Sequence, residues 1–539
     1  MSPRGPRSRV LGWMAVALAA IPFAWEAVAC GLPTQYLYQG GDQAAIELAT
    51  RRAVAFTQLV GPYDRFGWNH PGPVYLYLLS IPYRLFGPGA RPELVGEVLI
   101  GGLAVVGAVT VVYRRAGGGA ALWSCAWLLF FCWTLSALRL RFPWNPLAVV
   151  LPMVLLVVLV AAAIDGSGLS LLGAVLVGTF VVQTDVSTLP LTVVVLAVGA
   201  ACLLARWARQ RQGEARDRGG GRAPRALAWG AVGVAVLIGA WIGPLLQEAN
   251  GPGPGNLGTI LHFFTHSSPH VSWYTATHAV AAVDSLLPYG ASTVLGQTIS
   301  SPAPWLILAL AVLVAAAATG LGLWRKQWMS LGLGALSLVG IVGSIAAVTR
   351  IVGGLIGYLV LWEIAFPLAG LIGLGVALLG TARTPGRSFN RLASLTRRAG
   401  VALAGCATTA VTVGLLLQVT SMDYPPGSLN GSEVALAWRM VGSHLPPPPG
   451  TVLVEMGSAN SPQFFLGAGL VDRLASLGYR ARVPADWRVQ FGRSQVLHSR
   501  PDNIIALRKP GSPPPAGFVL LGDASAGSAV YISAPPNKR

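Results

Sequence analysis

The chain has 539 residues, 53% of them hydrophobic and only 11% charged, with a formal net charge of +18. Soluble domains carry about 25% charged residues, so the composition excludes an ordinary soluble protein and points to many bilayer spans. The positive charge does not indicate nucleic acid, because the chain has no basic helix with interleaved aromatics and no zinc-finger spacing.

In chain order, Arg4, Arg7 and Arg9 precede an apolar run from Val10 to Cys30. This run is read as an uncleaved first helix, since it is long and has no clear cleavage site. Further apolar runs at 93–113, 119–138, 146–164, 168–184, 188–205, 226–246, 303–323, 328–348, 353–380 and 401–420 predict about eleven spans. Arginines fall on alternate loops: Arg114 and Arg115, the 206–225 stretch, Arg325 with Lys326, and 383–398. Only the loop at Asp165 lacks one. The pattern predicts a multi-pass protein of the inner (plasma) membrane, with a cytoplasmic N-terminus and an extracytoplasmic C-terminus. The outer regions are then 31–92, 247–301 and the tail 421–539, and residues 1–420 form the membrane domain. The five cysteines form no CxxC pair and read as small buried hydrophobes.

The first outer loop is unusual. Asp42 opens a helical pattern with Ala45, Leu48, Ala49, Ala53 and Phe56 on one face and Glu47 and Arg51 on the other. Arg52 interrupts the apolar face. The pattern predicts an interfacial helix from which Arg52 snorkels to headgroups. Asp42 is either an N-cap, a position aspartate favours, or something more. "GPYDRFGWNHPGP" (61–73) then forces a turn at His70, because Pro71 and Pro73 fix φ and extend the residues before them. Val74–Phe86 has 13 residues, too few to span, and is rich in interface-seeking tyrosine; it predicts a second interfacial helix.

An outer acid just after the first span, interfacial helices, a His-Pro turn and then Leu-Phe-Gly together resemble the GT-C superfamily of membrane glycosyltransferases. The nearest pattern is that of the protein mannosyltransferases and aminoarabinose lipid-A transferases, whose turn reads His-Pro-Pro-Leu where this chain has His70-Pro71-Gly72-Pro73. The resemblance implies a fold of many helices with long outer loops and an outer C-terminal domain. It implies a polyprenyl-phosphate sugar donor, an envelope glycan, glycolipid or protein as acceptor, and inverting transfer with Asp42 as general base. Many members carry a second acid beside the first. Here Gln43 follows, and Glu47 and Asp64 are the nearest acids, which leaves a divalent metal open; no other cofactor is expected.

The chemistry is consistent with the resemblance. A carboxylate can take the proton of an attacking hydroxyl, and a departing lipid phosphate needs cations, a task suited to the arginine fork. The candidate arginines are Arg65, Arg84, Arg141 and Arg350. Gln183 and Asp185 end the fifth span as polar groups at membrane depth, where function is the first suspicion. With Asp64, His70 and Glu248, at the exit of the seventh span, they complete the candidate substrate-binding set; no metal ligands are assigned. "RFPWNP" (141–146) reads as an interfacial turn, Glu363 as an acid facing the bundle interior, and His262, His266, His270 and His278 as solvated loop residues. The tail alternates strand-like runs with one helix pattern and predicts a small α/β domain. "HLPPPPG" (444–450) reads as a stiff spacer before it, and the tail is expected to guide acceptor without doing chemistry. The alternative function is a transporter or flippase for an envelope lipid or glycan, but the paired, broken-helix halves of such proteins are not apparent.

Overall fold

The structure is a computed structural model, described here for residues 6–32, 36–214, 223–251, 255–268, 271–289, 303–380, 391–421, 431–458 and 461–533. The protein is a polytopic helical membrane protein with a small C-terminal α/β domain. Ten described helices are long and apolar enough to cross a bilayer, from Pro6–Gly31 to Thr396–Thr420. The remaining expected span, Gly168–Thr184, has 17 residues, at the lower end of the ~17–25 that suffice. The basic loop stretches 215–222 and 381–390 and His270 lie outside the described residues.

Lipid offers no hydrophobic drive between helices, so close packing through small residues holds the bundle. A Cβ at Gly102 would stand 2.8 Å from Phe23 of the first helix, and one at Gly340 would collide with Phe366. Cys30, Cys125 and Cys132 are buried as expected, whereas Cys202 is half-buried and Cys406 exposed. Trp273–Asp284, expected as part of a loop, is a helix whose C-terminal half is buried in the bundle. It packs on Pro304–Trp324, Trp328–Val348 and the 3-10 segment Gly357–Ile364. The sequence "AVAAVDSLL" (279–287) is apolar enough for this except at Asp284.

The tail folds into a five-stranded sheet of β1 (Thr451–Glu455), β2 (Arg480–Arg482), β3 (Asn503–Arg508), β4 (Phe518–Ser525) and β5 (Ser528–Ser533), in the order β2-β1-β3-β5-β4. β1 runs parallel to β2 and β3, and β5 is antiparallel to β3 and β4. Helix Pro462–Ser476 joins β1 to β2. Its start is fixed by Pro462 in the first turn and by Ser461, whose hydroxyl accepts from the Phe464 N–H at 3.2 Å.

Helix Gly41–Val54 joins the two parts, and here the expectation of a half-immersed helix is corrected. Ala44 and Leu48 belong to the apolar core of the sheet domain, while Ile46, Ala49 and Ala53 belong to that of the membrane bundle. With both faces buried, the helix needs no one-sided pattern. Arg52 does not snorkel: it donates to Gln58 Oε1 at 2.7 Å and to the Phe491 carbonyl of the tail at 2.7 Å. Glu47, assigned to the polar face, is fully buried and accepts from Gln39, Arg51 and Tyr83. Arg51 also reaches Asp472 of the tail at 3.1 Å. Helix Val74–Phe86 does keep one apolar face outward, with Leu78, Ile81 and Leu85 exposed and Tyr75, Leu76 and Leu79 buried.

Candidate active site

Residues 61–70 form a tight hairpin rather than a simple bend at His70. Gly61 N–H donates to the His70 carbonyl, His70 N–H to Pro62 and Asp64 N–H to Trp68. Gly67, at φ +88°, closes the tip, a conformation that glycine adopts without strain. The Asp64 carboxylate accepts from the Phe66 N–H at 2.8 Å, and burial holds its pKa above the usual aspartate value.

Asp42 is the second residue of its helix, after Gly40 as N-cap, and no side chain caps that end. The N-cap reading therefore fails. Instead, Oδ1 accepts from the Tyr63 hydroxyl and Oδ2 from the Trp144 indole N–H at 3.0 Å. Burial raises the Asp42 pKa, and these two hydrogen bonds pull it down. Tyr63 in turn packs edge-on against Phe464 of the sheet domain, with ring centroids 6.1 Å apart. Trp144 lies 4.9 Å from the Tyr358 ring.

His70 ties three loops together. Its Nδ1 accepts from the Val186 N–H at 3.1 Å, and its Nε2 lies 2.8 Å from the Asn145 amide. The Asn145 atom facing Nε2 is Nδ2, and which of the two donates depends on the ring tautomer. Asp185 Oδ1 stands 4.0 Å from Nδ1 and accepts from the Ser187 N–H at 3.0 Å. Ser187 accepts from the Trp362 indole at 3.0 Å. Gln183 is fully buried: its side-chain amide donates to the Ala240 carbonyl, and its backbone carbonyl accepts from Gly72 N–H at 3.3 Å. That bond explains the departure from His-Pro-Pro-Leu, because proline has no N–H to donate and a Cβ at Gly72 would stand 2.0 Å from Gln183 Oε1.

The structure thus brings Asp42, Asp64, Arg65, His70 and Asp185 together, and all but His70 act electrostatically on Tyr358. Arg65 makes long contacts, at 3.5 and 3.4 Å, to the carbonyls of Val352 and Gly354, and its guanidinium lies over the Phe66 ring at 4.8 Å. Arg350 is exposed just before that segment. Other candidates are engaged elsewhere. Glu248 accepts from the N–H groups of Leu257 and Gly258 and caps Asn256–His266. Arg84 caps the other end of the Asp42 helix through the Val54 carbonyl and stacks over Phe56. Arg141 is corrected as a phosphate candidate: it is 1% exposed and pairs at 3.4 Å with Glu26 of the first span. Glu363 does face the interior, where it meets Asp284. Among the described residues no group of three or more His, Cys, Asp or Glu is placed to hold a metal ion.

Sequence reasoning missed Tyr63 as a partner of Asp42, and Glu26. It placed Trp144 in a turn without a role. The one available signal was position: Tyr63 lies in the hairpin already singled out, and Trp144 at the mouth of the third span.

An apolar cavity of about 560 Å³ lies among the helices, lined by Val74, Leu78, Leu99, Phe180 and Leu237 among others and by Ala240, whose carbonyl holds Gln183.

The chain is thus a polytopic helical bundle whose polar cluster meets a small α/β domain, and comparison with solved structures agrees at the level of fold. The chain is similar to ArnT from Cupriavidus metallidurans bound to undecaprenyl phosphate, at 15% identity and TM-score 0.58, over 97% of this chain and 98% of that one. The apo state of the same protein matches at 14% identity and TM-score 0.58. An oligosaccharyltransferase from Archaeoglobus fulgidus matches at 12% identity and TM-score 0.43, over 92% of this chain and 69% of that one. No family model matches the sequence, and no curated protein matches it.

Proposed function

We propose that this chain is an inverting glycosyltransferase of the cell envelope. It moves a sugar from a polyprenyl-phosphate donor to an envelope acceptor on the outer face of the plasma membrane, with the N-terminus cytoplasmic and the sheet domain outside. The observation that carries the proposal is the condition of Asp42. Glu26, Glu47, Asp165, Glu455 and Asp472 are all paired with arginine. Asp64, Asp185 and Glu248 are committed to backbone N–H groups. Asp42 alone in the cluster has neither; only the neutral Tyr63 and Trp144 hold it. A half-buried carboxylate with a raised pKa, aimed by two fixed donors, is poised as a base.

In the reaction, the acceptor O–H gives its proton to the Asp42 carboxylate. The acceptor oxygen forms a bond to the anomeric carbon on the face opposite the phosphate, and the carbon–oxygen bond to the lipid phosphate breaks with its electron pair going to that phosphate. Arg65, whose hydrogen bonds are long, takes the developing phosphate charge, with Arg350, just before the segment Arg65 contacts, as the second candidate. His70 holds the hairpin, the Asn145 turn and the Asp185 loop in register. The apolar cavity beneath Val74 suits the lipid tail, and a solved protein of this fold holds undecaprenyl phosphate. The test is transfer from a polyprenyl-phosphate sugar by the purified protein, wild type against Asp42→Asn. Reporter fusions after Gly258 and Arg500 check the orientation and should read external.

A further inference from the structure

The charge on the sheet domain is concentrated in one segment. Residues 480–500 hold five arginines (480, 482, 488, 493 and 500) against one acid, Asp486. The rest of the described tail has four basic and five acidic residues. Arg480, Arg488, Arg493 and Arg500 are exposed, Arg482 is half-buried, and among the described residues no carboxylate pairs with any of the five. The segment is a closed excursion from β2, clasped by Val483 N–H to the Gln495 carbonyl at 2.8 Å and Leu497 N–H to the Val483 carbonyl at 3.0 Å. Arg482 donates across the clasp to Gln495 Oε1 at 3.3 Å.

This segment touches the site's own elements. The Val489 carbonyl accepts from Asn69 of the hairpin at 3.2 Å, and the Phe491 carbonyl from Arg52 of the Asp42 helix at 2.7 Å. Trp487 stacks on Phe464, the ring against which Tyr63 packs. None of its large apolar residues is exposed, whereas a segment lying on lipid would show some. A fixed field of one sign beside a site selects and concentrates ligands of the other sign.

We propose that residues 480–500 are the docking surface for an anionic acceptor, a sugar chain carrying carboxylate or phosphate groups. The proposal rests on the transferase reading and names its acceptor class. Full-length protein in nanodiscs of phosphatidylcholine alone is titrated with oligogalacturonate and, separately, with its uncharged methyl ester. The wild type is expected to bind the acid form, more weakly as salt rises, and not the ester. The double variant Arg488→Ala/Arg493→Ala should bind about tenfold or more weakly, the scale of losing hydrogen bonds to a charged group. Both side chains are exposed, so its unfolding midpoint should stay at the wild-type value. Equal binding of acid and ester, or unchanged binding by the double variant, overturns the proposal. In a parallel titration with phosphatidylglycerol vesicles, a defect of the double variant seen there and not with oligogalacturonate also overturns it, as it would make the segment a headgroup contact. Asp42→Asn should bind oligogalacturonate as the wild type does. Full transfer activity in Asp42→Asn would therefore refute the base and leave this result standing.

Discussion

Asp42→Asn separates geometry from chemistry at the centre of the site. The carboxylate holds two donors, Tyr63 O–H and Trp144 N–H. In the variant, Oδ1 can accept from Trp144, while Nδ2 donates to the Tyr63 oxygen, because a phenol serves as donor or acceptor. The Tyr63 O–H loses its carboxylate acceptor, but that side chain is only half-buried and its hydroxyl can turn to water; no cap is lost and no ion pair is broken. Stability should therefore change by less than about 1 kcal/mol, well under the ~1–3 kcal/mol of an unsatisfied buried partner. An amide cannot take the acceptor's proton, and a positioned base contributes about 10²–10⁴-fold. Transfer should fall by that factor with unfolding midpoint and donor binding intact. The assay is transfer of labelled sugar from a polyprenyl-phosphate donor by purified protein, beside a thermal melt in the same detergent. A variant that melts like wild type and transfers within threefold of it would refute Asp42 as the base and move the search to Asp64 and Asp185.

Tyr63→Phe removes one of the two hydrogen bonds that pull the Asp42 pKa down against burial; the acid limb of kcat/KM should therefore move to higher pH, and an unmoved limb would mean that Tyr63 does not act through Asp42. Gly72→Ala drives a Cβ into Gln183. It should cost about 1–3 kcal/mol as overpacking does, visible as a lower melting midpoint, and Gln183→Ala in the same chain should recover part of it. Arg51→Ala leaves Glu47 and Asp472 buried without their shared cation. A loss of about 3–5 kcal/mol is expected, read as a lower midpoint and earlier proteolysis of the sheet domain.

The spans were legible because a bilayer demands long apolar runs, and the tail's fold because strand and helix periodicities differ. The hairpin was legible as a place, since Pro71, Pro73 and Gly67 punctuate it, but not as a geometry. What could not be read was the choice of partners. Arg141 looked like a free cation because its counter-charge, Glu26, lies 115 positions earlier. Arg52 looked like a snorkelling anchor because its acceptor is a backbone carbonyl 439 positions later. Helix Gly41–Val54 looked imperfectly amphipathic because an amphipathic pattern presumes one wet face, and this helix has none. Glu248 read as a site residue because a cap nine residues ahead leaves little periodic trace.

Gly41 sits at φ +54°, and a Cβ there would stand 2.2 Å from Phe465. The turn that starts the Asp42 helix is thus moulded against a ring more than 400 positions later in the chain, and the pair that Arg51 of the same helix forms with Asp472 joins residues 421 positions apart. During synthesis the first loop emerges long before the surface that shapes it. The corner around Asp42 is therefore completed only after the segment bearing Phe465 and Asp472 has been made and folds against it. On the function proposed above, a chain whose sheet domain has not yet emerged would carry no aligned base, and the order of synthesis would itself act as a safety catch against premature consumption of the donor.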